Sequence, residues 1–194
     1  MKFISLFCLV FSSAILPAQQ PAVIEYAAVS TFHWGLFKGK INPRHLAEMG
    51  KNTGAVTVSS ISYSSINITD HSSTVIITAR FHPQESWTRY PDLNQPEEAL
   101  EHEKRHFDIT EIYARKLRQL VSTTHFSASH FQDEVSRLFK DIVSQQRAEQ
   151  GRYDHETKHS TDTAQQQKWN DRVDAQLEAL SAYSATTVSI RFNR

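Results

Sequence analysis

The chain has 194 residues, with 21 basic, 21 acidic and 10 histidine side chains, so it is formally neutral at pH 7. No basic stripe breaks that balance, which argues against nucleic acid as a partner. The single cysteine, Cys8, lies in an N-terminal segment expected to be removed, which excludes disulfides and thiol chemistry from the mature chain.

That segment, "MKFISLFCLVFSSAILPAQQ", places Lys2 before an apolar run from Phe3 to Leu16, with small residues near Ala18. The run falls short of the ~20 apolar residues that span a bilayer. A charged start, a short apolar core and small residues read as a secretory signal peptide over residues 1–18. Cleavage there leaves residues 19–194 as one domain with a sizeable core, secreted or periplasmic. No second apolar run predicts stable membrane insertion.

Residues 23–32 are mostly apolar and β-branched, the composition of a strand. "FHWGLFKGKINP" follows as a loop with buried aromatic anchors. Residues 55–68 have strand composition. In "TVIITARFH", Val75, Ile77, Ala79 and Phe81 alternate with polar positions, so 55–82 predicts a two-stranded antiparallel unit. A proline-bearing loop covers 83–96. Pro96 suits a first helical position, with Glu97 and Glu98 against the positive end of the dipole. Absence of Gly and Pro up to Gly151 predicts helices over 96–121 and 128–149. A third is expected over 161–181, with Ser160 as its N-cap. Val188, Ile190 and Phe192 alternate again, predicting a last strand that returns to the sheet.

The first long helix carries His102-Glu103-Lys104-Arg105-His106. Positions i and i+4 lie about 40° apart on one helix face, so two neutral imidazoles there can share an ion. A catalytic zinc takes three protein ligands and keeps a fourth position for water. The glutamate after the first histidine is placed to accept a proton from that water and return it to the leaving amine. Chance would give such a pentapeptide about 0.03 times in this composition. The competing reading is a solvated helix face.

The helix itself offers no third ligand. Glu111 lies nine residues past His102, on the opposite side at about 100° per residue, and Asp108 is about 120° away. A second pentapeptide, His155 to His159, sits in "YDHETKHS", which offers Asp154, His155, Glu156 and His159. The competing reading is that His155 and His159 form an exposed i, i+4 pair at the start of a helix. The remaining histidines read as surface or structural, and Trp34, Trp87 and Trp169 as core or groove walls.

"HEKRHFDITEIYAR" and "YDHETKHS" together resemble a family of bacterial secreted proteins of uncharacterised function, predicted to be zinc-dependent proteases. "FHWGLFKGKINP" with "SISYS", and "QQQKWN", are weaker matches. Lys104-Arg105 stands where the family often has a glycine. The resemblance implies a zincin-like site and points to His159 as third ligand, because the family motif retains that histidine while position 155 varies.

The reading is therefore an α+β domain, a twisted antiparallel or mixed sheet packed against two or three long helices. One Zn2+ is held by His102, His106 and His159, with Glu103 as general base. Tyr153 is expected to donate to the developing oxyanion, and Asp108 and Asp154 to hydrogen-bond the ligand histidines. The expected function is a secreted zinc metallopeptidase acting on protein or peptide substrates. Its rivals are a non-catalytic domain that retains zinc and a zinc amidase acting on the cell envelope.

Overall fold

The computed structural model describes residues 23–41, 43–49, 53–89 and 97–192. The signal segment and the expected helix-opening Pro96 lie outside the described residues.

The centre of the sheet is β4 (Ser72–Phe81). Its Val75, Ile77, Ala79 and Phe81 are the alternating set expected from the sequence, and all four are buried. Burying Val75, Ile77 and Phe81 contributes roughly 2 kcal/mol each at the level of transfer energies. One edge of β4 pairs antiparallel with β3 (Ser59–Ile66), in register from Ser59↔Phe81 to Ile66↔Thr74. At the hairpin tip Asn67 takes a left-handed φ of 53°, which asparagine tolerates. The other edge is shared end to end by β1 (Ile24–Glu25) and β6 (Thr187–Arg191). A separate ladder joins β2 (Ala55–Val56) to β5 (Trp87–Thr88). Every pairing is antiparallel.

Among the described residues, four α-helices complete the order: α1 (Pro43–Met49), α2 (Glu97–Thr123), α3 (Phe131–Thr157) and α4 (Thr163–Ala179). The fold is α+β, with α2 packed on the sheet on one side and against α3 and α4 on the other. Phe107 meets Phe81 at 5.8 Å and Tyr26 at 5.1 Å between ring centroids. Arg118 is fully buried and ties α2 to both neighbours. It donates to the Ile77 carbonyl on β4 (2.9 Å), to Glu111 (2.9 Å) and to the Tyr183 carbonyl before β6 (3.0 Å).

Several boundaries differ from the sequence reading. The strand expected over 23–32 stops at Glu25, because the chain turns at Tyr26–Ala28 and sends the Tyr26 hydroxyl to Asp108 at 2.8 Å. The loop after it does bury Trp34 and Phe37. Gly39 sits where a Cβ would stand 2.8 Å from the Gln84 and Ser86 carbonyl oxygens, so only glycine allows this close approach. The short helix α1 was not foreseen. Gly151 does not end a helix: α3 runs on to Thr157, since burial of Tyr153 and Thr157 outweighs glycine's ~1 kcal/mol cost in a helix interior. The N-cap of α4 is Asp162, which accepts from the Gln165 N–H at 3.2 Å, in place of Ser160.

Candidate metal centre

The site lies where α2, α3 and α4 meet. Continuation of α3 beyond Gly151 decides its composition, because Gln150, Tyr153, Asp154 and Thr157 then fall on the face turned to α2. His102 and His106 project from α2 with their rings 4.9 Å apart and perpendicular. Both Nε2 atoms face one oxygen: Asp154 Oδ1 lies 3.2 Å from His102 Nε2 and 3.0 Å from His106 Nε2. Among the described residues, His102, His106 and Asp154 form a possible metal-binding triad, their ligand atoms all within 4.8 Å of one another.

Hydrogen bonding fixes what each ring presents. Gln166 donates from Nε2 to Tyr153 Oη (2.8 Å) and to Asn170 Oδ1 (2.9 Å), so its Oε1 is the atom 3.0 Å from His102 Nδ1. Gln150 donates from Nε2 to the His106 carbonyl (2.8 Å) and turns its Oε1 to His106 Nδ1 at 2.5 Å. Each Nδ1 therefore carries a proton, and each Nε2 is the nitrogen turned to the carboxylate oxygen. Three acceptors at this separation need a proton or a metal cation between them. Ligands held tetrahedrally at ~2.0–2.1 Å from one ion are ~3.3 Å apart, and the two Nε2–Oδ1 distances, 3.2 and 3.0 Å, lie near that value.

Burial opposes the charged form of His106, yet the charge and hydrogen bond of Asp154, with Glu103 and Gln150 adding, raise its pKa to about 9. Burial would raise the Asp154 carboxyl, but the two histidines hold it far below the usual carboxylate range. The Glu103 side chain is buried beside the pair, and its Oε2 has no hydrogen-bond partner among the described residues.

The other expected site residues stand as follows. His159 is outside the triad. Its Nδ1 is 3.5 Å from Asp154 Oδ1, the same oxygen that faces the two Nε2 atoms, and its side chain is 55% exposed. The reason is the helix end: α3 closes at Thr157, and Lys158, His159 and Ser160 all have left-handed φ values of 50°, 52° and 71°. His155 points to solvent from the last turn of α3, so the two histidines are not a helical i, i+4 pair. Asp154, expected to support the histidines from behind, instead faces them directly. Asp108 touches neither. It is buried elsewhere on α2, bonded to Tyr26, Lys104 (2.7 Å) and Arg105 (3.2 Å). Tyr153 is fully buried, stacked on His102 at 4.6 Å, with its proton donated to the His102 carbonyl at 3.1 Å. Burial pushes its phenol above the ordinary tyrosine range. Gln150 and Gln166 escaped the sequence reading. "QQQKWN" was noticed only as a motif, although Trp169 within it donates to Glu156 at 2.9 Å and pins α4 to α3.

Residues 30–160 match the family described as "Bacterial protein of unknown function (DUF922)". The chain belongs to that family. The match spans well over half of the chain, including His102 to His106 and Tyr153 to His159, and leaves α4 outside. No curated protein and no solved structure matches the chain. No described helix is long and apolar enough to cross a membrane.

Proposed function

We propose that this DUF922 member is an exported zinc metallopeptidase, with one ion held by His102, His106 and Asp154. The observation that carries the reading is the convergence of two tautomer-fixed Nε2 atoms and one carboxylate oxygen beside a buried, unpartnered Glu103 oxygen. Two imidazoles and a carboxylate are a donor set that suits zinc and leave a coordination position open. A zinc ion held there would supply Lewis acidity.

The chain's own residues do the rest. Glu103 is on the same helix turn as His102, so its carboxylate stands beside the pair and its free Oε2 can take a proton from water and deliver it to the leaving amine. Its charge already reaches His106, raising that ring's pKa. Tyr153 holds α2 in place through the His102 carbonyl rather than offering its proton to substrate. His159 orients the Asp154 carboxylate from its exposed side. The signal-peptide reading of residues 1–18 places the activity outside the cytoplasm, on protein or peptide substrates.

The test compares wild type with Glu103→Gln, measuring zinc content and hydrolysis of a peptide library on the same samples. The variant is expected to keep its zinc and lose most turnover. Equal turnover removes Glu103 from the mechanism. Zinc binding without hydrolysis in either form favours a non-catalytic zinc domain, and cleavage confined to envelope amides favours the amidase.

A further inference from the structure

We infer that Gln150 and Gln166 are positioning residues that lock both ligand histidines in the Nδ1–H tautomer, an inference that rests on the metal-centre reading above. The geometry is a pair of closed loops, each referring an imidazole to its own backbone. In the first, the His106 carbonyl accepts from Gln150 Nε2, and Gln150 Oε1 faces His106 Nδ1. In the second, the His102 carbonyl accepts from Tyr153 Oη, whose oxygen accepts from Gln166 Nε2, and Gln166 Oε1 faces His102 Nδ1.

A side-chain amide has one donor end and one acceptor end, and its orientation must be settled by its partners. For Gln150 the backbone carbonyl of His106 decides the orientation. Turning the Gln150 amide over would set its oxygen against the His106 carbonyl. The Gln166 amide is set by Tyr153 Oη and Asn170 Oδ1, which both accept from its Nε2. Thr110 reinforces the first loop: its hydroxyl donates to the His106 carbonyl at 3.1 Å and accepts from Gln150 and Gln146. With each Nδ1 proton committed, neither ring can flip to offer Nδ1 to the ion without breaking the loop that holds it.

The choice of amide over carboxylate has a consequence. A carboxylate behind a histidine adds negative charge and makes the ring a stronger donor. Two neutral glutamines fix orientation alone, so Asp154 is the one anion among the three ligands. With a divalent ion the three ligands would carry one net positive charge, which the Glu103 carboxylate beside them offsets. The two loops also explain why three helices are needed: α3 supplies Gln150 and Asp154, and α4 supplies Gln166.

The experiment uses the full mature chain. Zinc affinity is measured by competition with a chromophoric chelator for wild type, Gln150→Met, Gln166→Met, Gln150→Glu and Gln166→Glu. Methionine matches the length without an acceptor oxygen, and glutamate restores one. The methionine variants are expected to lose about 10–100-fold in affinity, and the glutamate variants to recover part of it, since they restore the acceptor toward Nδ1 but not the amide donor. Long-range 1H–15N spectra of zinc-loaded wild type should show both rings protonated at Nδ1 and metal-bound at Nε2. Either ring bound through Nδ1, or methionine variants that bind zinc as tightly as wild type, would overturn the inference. Where a methionine variant fails to fold by circular dichroism, the wild-type ring spectra decide. A wild type that binds no zinc defeats the metal reading itself. A wild type that binds it, with unaltered methionine variants, defeats only the positioning role.

Discussion

Tyr153→Phe separates a supporting tyrosine from a catalytic one. The phenol is fully buried and makes two hydrogen bonds, donating to the His102 carbonyl and accepting from Gln166. Neither partner is left bare by the change. The His102 carbonyl keeps its i→i+4 bond within α2, and the Gln166 amide keeps Asn170. The loss is therefore that of ordinary hydrogen bonds, ~1–2 kcal/mol, and not the full penalty of an orphaned buried group. At roughly 2–4 °C per kcal/mol for a chain of this size, the melting temperature should fall by about 2–8 °C. Differential scanning calorimetry of the metal-free protein reads that shift, and zinc affinity should fall about tenfold or less as the loop through Gln166 slackens. Removal of an oxyanion donor gives a different signature, about 100–1000-fold in turnover. An unchanged melting temperature with turnover reduced on that scale would refute the supporting role and return the hydroxyl to the substrate.

Asp154→Ala should lower zinc affinity by orders of magnitude, whereas His159→Ala should cost about tenfold or less, both read by chelator competition; the reverse order would make His159 the third ligand. Acidity should act in opposite directions on the two forms. The His106 pKa is raised from 6.5 to about 9, so its contribution to metal-free stability is complete below pH 6.5 and is lost as pH climbs through 9. Asp154 is lowered from 3.8, so its contribution holds above that value and disappears only in strong acid. The metal-free melting temperature should thus decline from pH 6.5 to 9 while zinc affinity rises over the same interval, because binding displaces the proton; parallel slopes would contradict the shared site. Gly151→Ala places its Cβ in open space, and the helix should gain about 0.5–1 kcal/mol, visible as a higher melting temperature. A lower one would mean that the helix there depends on glycine.

Much of the fold was legible because it rests on periodicity. The alternation of β4, the returning strand at Val188 to Phe192 and the long helix with its pentapeptide all follow from apolar spacing. Gly151 misled the reading of α3: a single glycine costs little against the burial of Tyr153 and Thr157, and that burial depends on contacts with α2 and α4. The same early stop hid the place of Asp154 opposite the two histidines. With α3 ended early, Asp154 had no helical face, and the histidines at 155 and 159 looked like a second i, i+4 pair. Gln150 and Gln166 have no spacing signature at all, since each meets its histidine from a different helix. Asp108 shows the opposite limit, a carboxylate near the motif in sequence whose partners, Tyr26 and Arg105, draw it to another side of α2.

The central claim is that one zinc ion sits between His102, His106 and Asp154. Anomalous diffraction at the zinc absorption edge, on crystals of the mature chain loaded with one equivalent of zinc, tests it most directly. A single peak at ~2.0–2.2 Å from both Nε2 atoms and an Asp154 oxygen is expected. No peak there, or a peak held by other side chains, would contradict it.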